Sequence, residues 1–213
     1  MNTHKALLVV ITAPSGAGKT TLCTRLLESD SRLSRVITCT TRRPRSGEVD
    51  GEHYRFLTHD EFATRVAEGK FLEHADVYGN QYGTQIADVV SRLGNGHDAL
   101  LSVDVQGSRT IRSSSFATPL LTASVVTLFL MPPSLGSLED RLKSRQQDAK
   151  ESIEHRLRTV TKEIPYAADC DYVVPARDVN ETFQLARSIL SAERLKPHRL
   201  PTVWDAAAWR LIS

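Results

Sequence analysis

The fold of this chain is indicated by the stretch Ala13-Pro14-Ser15-Gly16-Ala17-Gly18-Lys19-Thr20. It follows a continuous apolar run at residues 6–13 (ALLVVITA), which is typical of a strand buried on both faces of a parallel sheet. Leucines recur on one side of the residues that come next and predict a helix from about Lys19 to Ser29. A glycine-rich loop between such a strand and such a helix predicts a phosphate-binding loop.

The residue types of this loop suit a triphosphate. Gly16 and Gly18 allow consecutive backbone N–H groups to face one anion at the N-terminus of the helix. We expect the Lys19 ammonium to reach the β- and γ-phosphates and the Thr20 hydroxyl to bind Mg²⁺. Residues 13–20 are therefore predicted to bind the phosphates of a nucleotide together with that ion.

Strands alternate with helices along the rest of the chain. Strands are predicted at residues 35–40, 98–104, 124–131 and 171–174. Helices are predicted at about residues 134–145 and 150–164, and a last one, capped by Asn180, to about residue 195. This alternation predicts an α/β fold with a doubly wound parallel sheet of the P-loop NTPase type.

Residues 37–84 interrupt this alternation with short strands and turns, including a turn at Asp50-Gly51 and a helix opened by the capping box Thr58 to Glu61. We interpret them as an inserted mononucleotide-binding subdomain of a domain spanning residues 1–195. The core would comprise residues 1–36, 85–133 and 165–195, and residues 134–164 would form a helical lid. Residues 196–213 would form a C-terminal tail.

Composition narrows the possible partners and location. The 27 basic and 25 acidic residues give a net charge of +2, too small to indicate a nucleic-acid or membrane surface. The apolar run at residues 6–13 is too short to span a membrane and leads into a glycine loop instead of a cleavage site. The three cysteines lack metal-ligand spacing and indicate reduced thiols. We expect a cytoplasmic enzyme, and the sequence leaves open whether it is a monomer or a homodimer.

Two classes of P-loop protein fit these features. Asp104-Val105-Gln106-Gly107 has the Asp-x-x-Gly form of GTPase switches, but the chain has no Asn-Lys-x-Asp tetrapeptide to read guanine. A nucleoside-monophosphate kinase needs a second anion site and a cationic lid, because the transferring phosphoryl group must be neutralised and shielded from water. The three arginines and the tyrosine of residues 40–54 offer the anion site, and arginines at residues 134–164 offer the lid.

Over about residues 7–195 the chain resembles the guanylate kinase family. The resemblance is carried, in family order, by residues 13–20, 40–51 (TTRRPRSGEVDG), Tyr54, 71–73 (FLE), 79–84 (GNQYGT), 103–107 (VDVQG), Arg141-Leu142, Arg145, 151–153 (ESI) and Arg156-Leu157. It implies that ATP transfers its γ-phosphoryl group to GMP, and to dGMP, with Mg²⁺ as cofactor. The transfer would be direct, without a covalent enzyme intermediate.

The resemblance also implies an acceptor site. The GMP phosphate would be held by Arg42, Arg45, Tyr54 and Tyr82, since guanidinium forks match phosphate oxygens. Glu73 would read guanine, because its carboxylate accepts hydrogen bonds from N1–H and the exocyclic amine, which adenine cannot both offer. Hydroxyls at Thr38 and Thr84 would lie near guanine O6, and Asp104 would contact GMP. A carboxylate at the end of a strand beside a phosphate-binding loop also suits a water-mediated Mg²⁺ contact, so both roles stay open for Asp104.

The catalytic residues implied by the resemblance are Lys19, Arg42, Arg141, Arg145 and Arg156, whose charges would offset the negative charge on the transferring group. The chain departs from the family pattern at Ala13, at Ser102, at Gln146 in the lid, and at Pro175-Ala176-Arg177, which replaces a segment that faces adenine. A catalytically weak binding module and a P-loop kinase for another small phosphorylated acceptor are the alternatives.

Overall fold

The centre of the protein is a parallel sheet. A computed structural model describes residues 5–77, 79–115, 119–144 and 150–200. The strands of the sheet are β1 (Leu8–Thr12), β2 (Leu33–Arg35), β7 (Asp98–Val103), β8 (Val125–Met131) and β9 (Tyr172–Pro175). They pair in the order β2-β7-β1-β8-β9, and each pairing is parallel. All five residues of β1 are buried, as the predicted central strand requires.

Helices cover both faces of this sheet. Alternate residues of the first apolar run point to opposite sides, so Leu7, Val9 and Ile11 pack in one core cluster and Leu8 and Val10 in another. The first cluster includes residues of α1 (Lys19–Ser29), α6 (Leu135–Ser144), α7 (Lys150–Glu163) and α8 (Val179–Arg194). The second includes residues of α3 (Ile86–Gly94), α4 (Val105–Ser115) and α5 (Pro119–Ser124). This arrangement confirms the predicted doubly wound α/β fold.

A second sheet is formed by β3 (Cys39–Thr40), β4 (Arg55–Phe56), β5 (Phe71–Val77) and β6 (Asn80–Gln85), in the order β4-β3-β6-β5. Strands β5 and β6 form an antiparallel hairpin. The predicted capping box opens α2 (His59–Ala67), whose Phe62 ring stacks on Phe71 with ring centroids 4.6 Å apart. This sheet lies within the segment that we assigned to the inserted subdomain, apart from Gln85 at its end.

The strand predicted at residues 35–40 is wrong as a single element. Strand β2 (Leu33–Arg35) ends where the predicted strand begins, whereas β3 begins at Cys39 in the other sheet. Val36 N–H still donates to the Leu100 carbonyl (3.0 Å), and the Thr38 carbonyl already accepts from Arg55 N–H (2.9 Å). The chain therefore crosses from one sheet to the other within residues 35–40.

The predicted cap of the last helix is also wrong. Helix α8 begins at Val179, so its N-cap is Asp178. The Asp178 carboxylate accepts hydrogen bonds from the backbone N–H groups of Asn180 (2.8 Å) and Glu181 (3.0 Å). Aspartate and asparagine are both favoured at this position, and here the aspartate lies two residues earlier. Among the residues that the structure describes, no helix is both long and apolar enough to cross a membrane.

Candidate functional site

The phosphate-binding loop joins the end of β1 to the start of α1. Gly16 and Gly18 have φ angles of 88° and 96°, a left-handed conformation that side chains other than glycine rarely adopt. Lys19 begins α1, and its Nζ donates a hydrogen bond to the Val103 carbonyl at the end of β7 (2.7 Å). Burial lowers the pKa of the Lys19 ammonium, and the Asp104 carboxylate opposes this shift. The two loop glycines are therefore required by the backbone conformation, and Lys19 is held at the carboxyl end of β7.

A cavity of about 560 Å³ opens in front of this loop. Its walls come from residues 13–20, from Asp76, Val77 and Gly79 of the β5–β6 hairpin, from Asp104 and Gln106, and from Thr159 and Glu163 of α7. The second sheet, the parallel sheet with its loop, and α7 thus line one cavity. A second cavity of about 260 Å³ lies beside the loop, between α1 and the segment that contains Ala176 and Arg177.

Glu163 was not among the predicted site residues. It is the last residue of α7, and burial together with the Asp104 carboxylate raises its pKa to about 7, whereas Lys19 acts in the opposite direction. A glutamate at the end of a polar helix is unremarkable in sequence, so no local signal identified it. Its place in the wall of the cavity in front of the loop follows from the packing of α7 against the core.

Arg42, Tyr54 and Tyr82 lie together on the second sheet. The Arg42 guanidinium is 5.3 Å from the centre of the Tyr54 ring, and the Tyr54 and Tyr82 ring centroids are 6.1 Å apart. Glu48 holds Arg42 through an ion pair of 2.8 Å and also accepts from Arg45 N–H (2.7 Å). The Arg42 guanidinium lowers the pKa of Glu48 to about 2. The structure thus brings Arg42, Tyr54 and Tyr82 together and adds Glu48, which the sequence left without a role.

Glu73 is a buried carboxylate on β5. A β-bulge shifts the register between Phe71 and Glu73, so Leu72 and Glu73 are both buried although they are neighbours in a strand. Only 3% of Glu73 is exposed, and its Oε1 accepts a hydrogen bond from the Thr84 hydroxyl (2.6 Å). Burial raises the pKa of Glu73 to about 7, the Thr84 hydrogen bond lowers it, and the Asp104 charge raises it further.

Asp104 lies close enough to both the phosphate-binding loop and Glu73 for its charge to act on each. Its Oδ1 accepts a hydrogen bond from Gly107 N–H (2.7 Å) and so caps the first turn of α4. Its charge acts on Lys19 and Glu163, which line the cavity in front of the loop, and on Glu73 of β5. Both roles that the sequence left open for Asp104 are compatible with this position.

For the other predicted site residues the structure gives fewer contacts, or the residue lies outside the described part of the chain. Thr38 is half-buried where the chain crosses between the sheets, and Arg45 is exposed. Arg145 lies outside the described residues, as do the side chains of Arg141 in α6 and Arg156 in α7. Gln146 and the tryptophans of the tail are outside them too.

The residues at the phosphate-binding loop suit a magnesium ion. Thr20 is exposed in the wall of the phosphate cavity, and Asp104 and Glu163 line the same space. Hydroxyl and carboxylate oxygens are ligands that Mg²⁺ accepts, usually with water and substrate phosphates completing the coordination. Within the described residues no group of three or more His, Cys, Asp or Glu side chains could hold a metal.

Comparisons with known proteins identify relatives of this chain. The guanylate kinase family model matches residues 5–193. The chain is 45% identical over 202 residues to a guanylate kinase of Cereibacter sphaeroides, covering 95% of this chain and 93% of the relative. It is 43% identical over 193 residues to that of Rickettsia typhi, with 91% and 94% covered. A solved guanylate kinase from Anaplasma phagocytophilum aligns with a TM-score of 0.78 and 29% identity over 99% of this chain and 98% of that one. The chain therefore belongs to the guanylate kinase family.

Proposed function

We propose that this chain transfers the γ-phosphoryl group of ATP to GMP, and to dGMP, giving ADP and the nucleoside diphosphate. The observation that carries this proposal is the buried Glu73 carboxylate, aligned by Thr84 in the same molecule as a phosphate-binding loop with its lysine. Family membership supports the same activity, an ATP:GMP phosphotransferase.

Residues 13–20 bind the phosphates of ATP in this proposal. The N–H groups of the loop and the Lys19 ammonium face the phosphates, and the smaller cavity beside the loop accommodates the donor base next to Ala176 and Arg177. The Thr20 hydroxyl would hold Mg²⁺ together with the phosphates. When bound, that ion supplies positive charge to the β- and γ-phosphates.

The acceptor is held at two points. Arg42, Arg45, Tyr54 and Tyr82 bind its phosphate, with Glu48 keeping the Arg42 fork in place. The base is read by Glu73, which accepts from N1–H and the exocyclic amine. The family resemblance supports roles for three further residues. The hydroxyls of Thr38 and Thr84 lie near guanine O6, and the Asp104 carboxylate contacts GMP or, through water, the metal.

Catalysis consists of positioning and charge neutralisation. The attacking group is a phosphate oxygen that is already anionic, so no side chain has to act as a strong base. Lys19 and Arg42 supply charge from the core and the acceptor subdomain, and Arg141, Arg145 and Arg156 supply it from the lid. We propose residues 37–84 as that subdomain and residues 134–164 as the lid of a 1–195 domain, and we propose that the enzyme acts in the cytoplasm, where ATP and GMP are available.

A coupled assay of ADP formation tests the proposal. ATP and Mg²⁺ are supplied with GMP, dGMP, AMP, UMP or CMP as acceptor, and turnover with GMP and dGMP is expected to exceed that with the others. Equal rates with AMP and GMP would contradict the assignment of Glu73. Absence of turnover with every acceptor would favour the binding-module alternative.

A further inference from the structure

Gly107 is the third residue of α4, and its backbone does not require glycine. The glycines with positive φ in the described parts of the chain are Gly16, Gly18, Gly47, Gly51, Gly69, Gly79 and Gly96, so Gly107 is not one of them. Glycine is also a poorer helix former than alanine. The presence of glycine at this buried position in a helix therefore needs another explanation.

The space around Gly107 supplies one. A Cβ atom added at this position would lie 2.8 Å from Glu73 Oε2, a distance that real Cβ atoms essentially never show. It would also lie 3.2 Å from Asp104 Oδ1 and 3.2 Å from Val103 Cβ. The first turn of α4 therefore approaches the Glu73 carboxylate this closely only because position 107 has no side chain.

The Glu73 carboxylate is consequently held between two contacts. The Thr84 hydroxyl binds Oε1, and the Gly107 backbone lies against Oε2. A methyl group at position 107 would be accommodated most easily by rotation of the Glu73 side chain, since its carboxylate is the end of a flexible chain whereas Val103 belongs to a central strand. Such a rotation would break the hydrogen bond from the Thr84 hydroxyl and move Oε1 and Oε2 of Glu73 away from the positions in which they can accept from guanine.

We propose that Gly107 is a specificity-determining positioning residue, whose missing side chain sets the place of the Glu73 carboxylate and thereby the preference for guanine. This inference rests on the proposed reading of guanine by Glu73. In this proposal Gly107 affects which nucleoside monophosphate is accepted as substrate, and it does not contact the reacting atoms.

The test compares Gly107→Ala with Gly94→Ala, a control in which an added Cβ meets no atom within 4 Å. Steady-state kinetics with varied GMP, AMP and ATP would be combined with thermal unfolding. Gly107→Ala should raise the KM for GMP about tenfold and lower the GMP-over-AMP preference by a similar factor, as expected when a bidentate base contact is weakened. The KM for ATP and the unfolding midpoint should match those of the control.

A double-mutant cycle with Glu73→Asp makes the test specific. The shorter aspartate withdraws from position 107, so Gly107→Ala should have little additional effect on GMP in the Glu73→Asp background. If Gly107→Ala alone fails to fold, recovery of folding in the double variant would support the clash with Glu73, and failure of both would overturn the proposal. Equal losses in both backgrounds, or a parallel rise in the KM for ATP, would also overturn it. A wild-type enzyme without preference for GMP would contradict the proposed function itself, before any variant is compared.

Discussion

The affinity for GMP should fall as the pH is lowered through about 7. Glu73 has to be ionised to accept two hydrogen bonds from guanine, and burial raises the pKa of this carboxyl to about 7. Two groups face it from neighbouring elements. The Thr84 hydroxyl on β6 favours the ionised form, and the Asp104 charge at the start of α4 disfavours it.

The size of the effect follows from a single titration. For a pKa of about 7, the carboxylate is about one-tenth ionised at pH 6 and about nine-tenths ionised at pH 8, so the Kd for GMP should rise about tenfold between pH 8 and pH 6. The GMP phosphate has its own second ionisation near pH 6 and contributes separately.

Isothermal titration calorimetry with GMP from pH 5.5 to pH 8.5 would measure this dependence. Glu73→Gln is the matched control, because it keeps the shape of the side chain and removes its titration. The pH dependence that remains in this variant reports the GMP phosphate and the arginines around it. Parallel curves for the wild type and Glu73→Gln would refute the reasoning, since Glu73 would then not control binding.

The titration of Glu73 should also change the free energy of unfolding with pH. The folded-state pKa of Glu73 lies above its ordinary value of 4.5, so the folded protein binds more protons between pH 4.5 and about 7, and this contribution to stability is lost as the pH rises through that window. A pKa difference of this size corresponds to about 3 kcal/mol. Glu73→Gln should therefore be more stable than the wild type to urea at pH 8, with a smaller difference at pH 5.

Three further predictions concern other parts of the structure. Lys19→Ala should lower kcat about a hundredfold or more while the unfolding midpoint is kept, because a positioned charge on the transferring group is lost; near-normal turnover would exclude Lys19 from catalysis. Arg42→Lys should raise the KM for GMP about tenfold and leave that for ATP unchanged, since lysine cannot bind a phosphate in a bidentate way; equal shifts in both would contradict this role. The buried Arg194 guanidinium lies 2.6 Å from both the Asp98 and the Asp30 carboxylates, and Asp98→Asn leaves it with Asp30 as its charged partner. Urea unfolding should show a loss of about 3 kcal/mol, and an unchanged midpoint would argue against the pair with Asp98.

Local patterns predicted the elements that the core is built from. The apolar run before the phosphate-binding loop became β1, and the helix predicted from Lys19 to Ser29 has those bounds in the structure. The capping box at Thr58 also opens a helix as predicted. Periodicity could not show that residues 35–40 are divided between two sheets, because Val36, Ile37 and Cys39 with the neighbouring threonines suit a single continuous strand equally well.

The surroundings of Glu73 show what local sequence patterns could not predict. Glu73 in the sequence FLEHADV would be read as a solvated carboxylate, and only the family resemblance singled it out. In the structure a β-bulge turns Leu72 and Glu73 inward together, which strict alternation in a strand does not predict. The positions of Glu48 and Glu163 beside charged partners likewise depend on how loops and helices return to the site.

The sequence was sufficient for the α/β class and for the strand, glycine loop and helix of residues 8–29, because these depend on residues that are close together in the chain. The burial of Glu73, its contact with Thr84 and the close approach of Gly107 required the packing of α4 and the β5–β6 hairpin. The pKa of a carboxylate depends on the solvent and charges around it, and those come from segments that are distant in sequence.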